Sequence, residues 1–293
     1  MPATFSTITT ADGRTLEYLT TGPIDGQALL FHVGTPNAAT DYTAITEAAA
    51  ALGLRTICYS RPGYGGSTPL PGRRVADAAA DVRDLLDQLS VTEFWTLGWS
   101  GGGPHALACA ALLPERCRAA ALLASAAPYP ARGIDYMDGM GQDNIEEFDA
   151  AIAGWDELTG YLRPLIGDLA GVTGGGVAES LAGLLSGVDR AALTGALAEQ
   201  LADGMRRAVQ TGMAGWRDDD LAFVQDWGFE LGRIGVPVAV WQGRQDRMVP
   251  FAHGQWLVAQ IPTAEPHLYT EEGHFSLVAR CDDILADLLK LGG

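Results

Sequence analysis

One lysine, Lys290, is all that the 293 residues contain. Its 19 basic residues face 36 acidic ones, and the formal charge is −17. A chain so short of cations repels phosphate backbones and anionic lipid surfaces, so neither nucleic acid nor a membrane is expected as a partner. Cysteine is scarce as well. Cys58, Cys109, Cys117 and Cys281 make no CxxC pair and no Cys/His cluster at zinc spacing, so no metal and no other cofactor is expected. No stretch approaches the roughly 18 to 20 apolar residues of a membrane-spanning helix. The first residues, MPATFSTITTADGRTLEY, lack the basic and apolar regions of a signal peptide, which makes the cytoplasm the expected location.

What the chain does have is apolar bulk, 47% against 19% charged residues, enough for a packed core. The length suits one large α/β domain, or a core domain with an insertion. Alternation predicts a hairpin from Phe5–Thr9 and Thr15–Leu19 around Ala11-Asp12-Gly13. Apolar runs predict buried strands at Ala28–Val33, Leu54–Tyr59, Glu93–Gly98, Arg118–Leu123, Val236–Gln242 and Pro266–Tyr269. Between and after them, helical spacing marks Asp41–Leu52, Val75–Leu89, Gly101–Leu113, Phe251–Ile261 and Phe275–Leu291. Strand and helix in turn imply a mostly parallel central sheet flanked by helices.

That rhythm stops between Tyr129 and Gly232. Ile145–Leu169 and Ala191–Met213 read there as amphipathic helices, separated by the glycine-rich piece Gly171–Gly176. Residues 131–235 hold 18 acids and seven arginines. The expected organisation is a core of residues 1–128 and 233–293, with a helical cap, residues 129–232, inserted after the sixth core strand.

Gly98-Trp99-Ser100-Gly101-Gly102 matches G-x-S-x-G between a predicted strand and a predicted helix. A serine on such a turn exposes its hydroxyl at a helix N-terminus, and the flanking positions must be small. The hydroxyl needs a base to take its proton. Of five histidines, His274 lies on the loop after the last predicted strand, at the same sheet edge as Ser100. His105, His253 and His267 sit in helix or strand patterns, and His32 ends a strand near the presumed oxyanion loop, where it would have a supporting role. Asp246 follows the strand Val236–Gln242 and precedes His274, the chain order Ser, acid, His. It is expected to accept the His274 Nδ1–H, although capping a helix or pairing with Arg244 or Arg247 is the plainer role. Asp218, Asp219 and Asp220 read as a solvated charge run or a helix cap. The two oxyanion donors expected are the backbone N–H groups of Gly101 and Thr35.

Together these motifs resemble the α/β-hydrolase superfamily, in particular its capped esterase-like members with an HGxP-type oxyanion loop. The resemblance covers nearly the whole chain, through Gly34-Thr35-Pro36, Arg61-Pro62-Gly63-Tyr64-Gly65-Gly66-Ser67, the turn at Ser100, Gly243–Pro250 and Gly273-His274. It implies that the Arg-Pro-Gly-Tyr loop supports the active-site floor and that the cap makes much of the substrate pocket. Where the family usually has a histidine before the oxyanion glycine, Val33 stands, with His32 one place earlier. Dehalogenases and epoxide hydrolases of this fold use an aspartate nucleophile, which Ser100 disfavours. Perhydrolase relatives commonly carry an aromatic residue where Thr35 stands.

Trp99 beside the nucleophile and the cap residues Met137, Met140, Phe148, Trp155, Tyr161, Met213, Trp216 and Trp227 are candidates for an apolar substrate pocket, with packing of cap on core as the alternative for most of them. The acidic cap favours a neutral or cationic small-molecule substrate over an anionic one. The expected activity is hydrolysis of a carboxylic ester, lactone or thioester through an acyl-serine. The rivals are a proline-iminopeptidase-like aminopeptidase, a carbon–carbon bond hydrolase, an acyltransferase, and a receptor-like protein that binds a ligand on the same fold. A homodimer is compatible with all of these.

Overall fold

The computed structural model describes residues 4–293. Eight strands form one sheet: β1 (Phe5–Thr9), β2 (Thr15–Thr21), β3 (Gln27–His32), β4 (Leu54–Tyr59), β5 (Phe94–Trp99), β6 (Cys117–Leu123), β7 (Val238–Gly243) and β8 (Ala264–Tyr269). Their order is β1-β2-β4-β3-β5-β6-β7-β8. β1 and β2 pair antiparallel, as do β2 and β4, and every later pairing is parallel.

Each parallel strand sends alternate side chains to opposite faces, which a sheet covered on both sides requires. Leu30, Leu122, Val238 and Val240 join one core, with Leu85 and Leu86 of α2 (Ala78–Gln88), Leu107 of α3 (Gly103–Leu112) and Leu257 from the helix between β7 and β8. Leu29, Phe31, Leu123, Ala239 and Trp241 join the other, with Ile45 of α1 (Thr43–Ala51) and Ile284, Leu285 and Leu288 near the C-terminus. All four cysteines are buried free thiols in these cores.

Between β6 and β7 the chain forms α4 (Gln142–Ala153), α5 (Trp155–Leu162), α6 (Leu165–Gly171), α7 (Gly174–Ser180), α8 (Gly187–Ala192), α9 (Gly195–Val209) and α10 (Ala214–Phe223), and no strand. The two long helices expected here are broken. Gly154, at φ 115°, ends α4, and Pro164 separates α5 from α6. Gly195, at φ 54°, divides α8 from α9. The glycine-rich piece is not merely a separator: Thr173 accepts a hydrogen bond from the Gly176 N–H and caps α7. After β7 come α11 (Phe251–Gln260) and α12 (Cys281–Gly292). The closing helix starts late, because Ser276–Arg280 is a 3-10 turn.

β3 and β5 are parallel neighbours with His32 opposite Gly98, so the loops that leave their C-terminal ends emerge side by side. The chain runs outward in both directions from this pair, the switch point where open α/β sheets place their sites.

Candidate active site

Ser100 stands between β5 and α3 at φ 55°, a left-handed conformation that a residue with a side chain adopts only under strain. The glycines around it are steric necessities. A Cβ on Gly98 would stand 2.6 Å from the Gly102 carbonyl oxygen, and one on Gly102 would stand 2.0 Å from that of His32. The loop after β3 comes near as well. A Cβ on Gly34 would lie 3.7 Å from Ser100 Oγ, and one on Gly101 3.1 Å from the Thr35 nitrogen. The backbones of Thr35 and Gly101 thus meet beside the Ser100 hydroxyl.

The loops after β7 and β8 bring Asp246 and His274 together. His274 Nδ1 lies 2.9 Å from Asp246 Oδ2, and both side chains are buried. Asp246 is itself held on every side: Oδ1 accepts from the Met248 and Val249 N–H groups, and Oδ2 also accepts from Gln242 Nε2. It pairs with neither Arg244 nor Arg247. Burial disfavours a charged imidazole, but the Asp246 charge and hydrogen bond, with Asp189 further off, outweigh it and raise the His274 pKa above the ordinary value. The His274 ring lies 6.1 Å from that of Trp99, the residue next to Ser100.

Against the loop after β3 lies a buried ion network that no local sequence pattern announces. Asp219, in α10, is fully buried and accepts from Arg61 Nε and Nη2, Tyr64 Oη and Thr35 Oγ1, with Arg73 Nη1 at 2.7 Å. Arg61 also donates to the Val33 and Gly34 carbonyls, so it grips the loop directly. Burial alone would raise the Asp219 pKa; the Arg61 and Arg73 cations and His105 hold it well below the carboxylate range. His105 is buried 3.3 Å from Asp219, and burial pulls its pKa down to about 4. Asp218, Asp219 and Asp220 are therefore not a solvated run; all three are buried. The loop is supported by Arg61, while the His32 ring points to Tyr59, Cys109 and His105 beneath the sheet edge.

The candidate pocket residues scatter. Tyr161, Met213 and Trp216 share a cluster with Ala38 and Tyr64. Met137, Met140, Phe148 and Trp227 pack on the first core. Trp155 is 42% exposed with the Arg217 guanidinium over its ring. Trp99 is closed in by Tyr42 and Phe275, so it packs behind the turn.

Glu147 of α4 neighbours Asp220 of α10 and accepts from Trp216 Nε1 at 2.6 Å. Burial raises both carboxyls above their ordinary values, and for Asp220 the neighbouring Glu147 charge adds to it. The folded chain therefore binds more protons than the unfolded chain between the two pKa ranges. This stabilisation is complete below the ordinary carboxylate range and drains away as pH rises through the folded values. Glu147→Gln keeps an acceptor for Trp216 and gives Asp220 a donor. It is expected to raise the urea midpoint at pH 8 and to flatten its decline between pH 5 and 9; an unchanged pH dependence would show that the pair does not share a proton.

Comparison with known proteins gives the family of the fold. The family model described as alpha/beta hydrolase fold matches residues 27–279, and the chain belongs to that family. It is 32% identical over 248 residues to a non-heme chloroperoxidase of Streptomyces lividans, covering 84% of each chain. It is 27% identical to a 2-hydroxy-6-oxononadienedioate/2-hydroxy-6-oxononatrienedioate hydrolase of Cupriavidus pinatubonensis, over 78% of this chain and 73% of that one. Among solved structures it resembles an esterase from Exiguobacterium antarcticum, with a TM-score of 0.67, 20% identity and 98% of each chain covered. The protein is thus a member of a hydrolase fold family whose relatives carry peroxidase, dienedioate-hydrolase and esterase names. Among the described residues no helix is long and apolar enough to cross a membrane.

Proposed function

We propose that the chain hydrolyses carboxylic esters, lactones or thioesters through an acyl-Ser100 intermediate. The observation that carries this reading is the buried His274–Asp246 pair, 2.9 Å apart, at the same sheet edge as the strained Ser100. Asp246 engages Nδ1, which leaves Nε2 to take the Ser100 proton as Oγ attacks the acyl carbon. The N–H groups of Thr35 and Gly101 receive the oxyanion. His274 then returns its proton to the leaving alcohol or thiol, and the C–O or C–S bond breaks. Water, deprotonated by His274, attacks the acyl-enzyme, and collapse releases the acid and restores the Ser100 hydroxyl. The segment 129–232 would serve as the cap of this site, and the net charge of −17 supports a neutral or cationic substrate. His274 works as a neutral base, so its raised pKa implies an activity that climbs with pH through a limb above the ordinary imidazole value.

A fluorophosphonate probe tests the reading. Wild type should be labelled and should hydrolyse p-nitrophenyl acetate; Ser100→Ala should do neither. An unlabelled wild type would favour a ligand-binding protein. The similarity to the dienedioate hydrolase supports carbon–carbon cleavage as a second reading on the same residues. A 2-hydroxy-6-oxo-dienoate turned over faster than any ester would favour it, and preferred turnover of proline p-nitroanilide would favour the aminopeptidase.

A further inference from the structure

We propose that Asp189, in the first turn of α8, is a positioning residue for His274: its carboxylate fixes the backbone that carries the imidazole and places a second negative charge beside it. This rests on the acyl-serine reading, in which His274 is the base.

Asp189 belongs to the helical segment between β6 and β7, yet it is bonded to the loop after β8. It is fully buried. Its Oδ1 accepts from the N–H of Phe275 at 2.7 Å and of Ser276 at 3.1 Å, and its Oδ2 accepts from Ser186 Oγ at 2.8 Å. Gly273 makes the approach feasible, because a Cβ there would lie 2.3 Å from Asp189 Oδ2. The carboxylate therefore touches residues 273, 275 and 276, both sides of the histidine. The loop closes on itself as well: the Gly273 N–H donates to Ser276 Oγ, which donates to Glu272, and Arg280 pairs with Glu272. With residues 273 to 276 held at the backbone, the His274 side chain has one launching point toward Asp246.

The charge needs its own explanation. Among the described residues Asp189 has no cation partner; its donors are two N–H groups and one hydroxyl. A buried carboxylate without a counter-ion is costly, and an asparagine could accept the same two N–H bonds. Its negative charge gains a role when His274 holds the Ser100 proton. The charged groups acting on the imidazole are Asp246, from the loop after β7, and Asp189, from α8. Its other close neighbours, Trp99 and Phe275, are uncharged.

Two variants separate the functions of shape and charge. Asp189→Asn keeps the N–H acceptor and removes the charge. It is expected to fold, to retain most of kcat, and to move the acid limb of kcat/KM for p-nitrophenyl acetate to lower pH. The His274 imidazole resonance, followed by NMR on the ligand-free protein, should titrate lower in step. Asp189→Ala removes the acceptor too, and kcat should fall about 10- to 100-fold with KM little changed. A merely structural residue would lower thermal stability without moving the titration. The proposal is overturned if His274 in Asp189→Asn titrates as in wild type, a result that stands even if Asp189→Ala does not fold. Loss of the reading beneath it looks different: the wild type itself would escape the fluorophosphonate, while the NMR titration would still report on Asp189.

Discussion

Asp219→Ala is expected to destabilise the protein by about 3–5 kcal/mol, because it strands two buried guanidinium groups. Arg61 and Arg73 are 1% and 4% exposed, and neither can lose its charge at any ordinary pH. With the carboxylate gone, Tyr64 Oη and Thr35 Oγ1 also lose an acceptor in the interior. A surface pair gives the scale: Asp203 beside Arg206 is half exposed, and Asp203→Ala should shift stability by no more than about 0.5 kcal/mol. Urea unfolding of the three proteins makes the comparison. The folded fraction of Asp219→Ala should also turn over ester more slowly, since Thr35 Oγ1 keeps Arg61 Nη2 but has lost its bond to Asp219. Equal midpoints for wild type and Asp219→Ala would mean that the network anchors nothing.

Asp246→Asn should cost about 10⁴-fold in kcat with little loss of fold. The asparagine oxygen can still accept from the Met248 and Val249 N–H groups, so the turn after β7 survives. Its amide then faces two donors, Gln242 Nε2 and His274 Nδ1–H. The imidazole escapes the clash by shifting its proton to Nε2, the nitrogen that must be bare to deprotonate Ser100. Steady-state kinetics on p-nitrophenyl acetate, with circular dichroism to confirm folding, checks this. A variant within tenfold of wild type would show that Asp246 does not set the tautomer.

The core strands were legible because each buried strand is a short apolar run closed by glycine or proline, and the sheet order follows from their alternation with helices. The elbow at Ser100 and the loops of Asp246 and His274 were legible for a related reason: each polar residue follows directly on a strand, so the strand's end gives its position. The helical segment is less legible. Backbone angles at Gly154 and Gly195 break its helices, and nothing in local apolar spacing reports a positive φ. Asp218–Asp220 looked like solvated surface because charge runs usually are. The cations that Asp219 meets, Arg61 and Arg73, lie some 150 positions earlier, and only the folded chain brings the signs together. Asp189 was invisible for the same cause: its partners are backbone N–H groups 86 and 87 residues away, which have no letter in the sequence.

Asp189 and Asp219 lie on different helices of the segment between β6 and β7, and each holds a different core loop, one the loop that carries His274 and the other the loop that carries Thr35. An engineer who grafts in another protein's helices to change specificity would be cutting both guy-ropes at once. The transplant would have to carry two acids at matching heights, or the core loops would need refitting to stand without them.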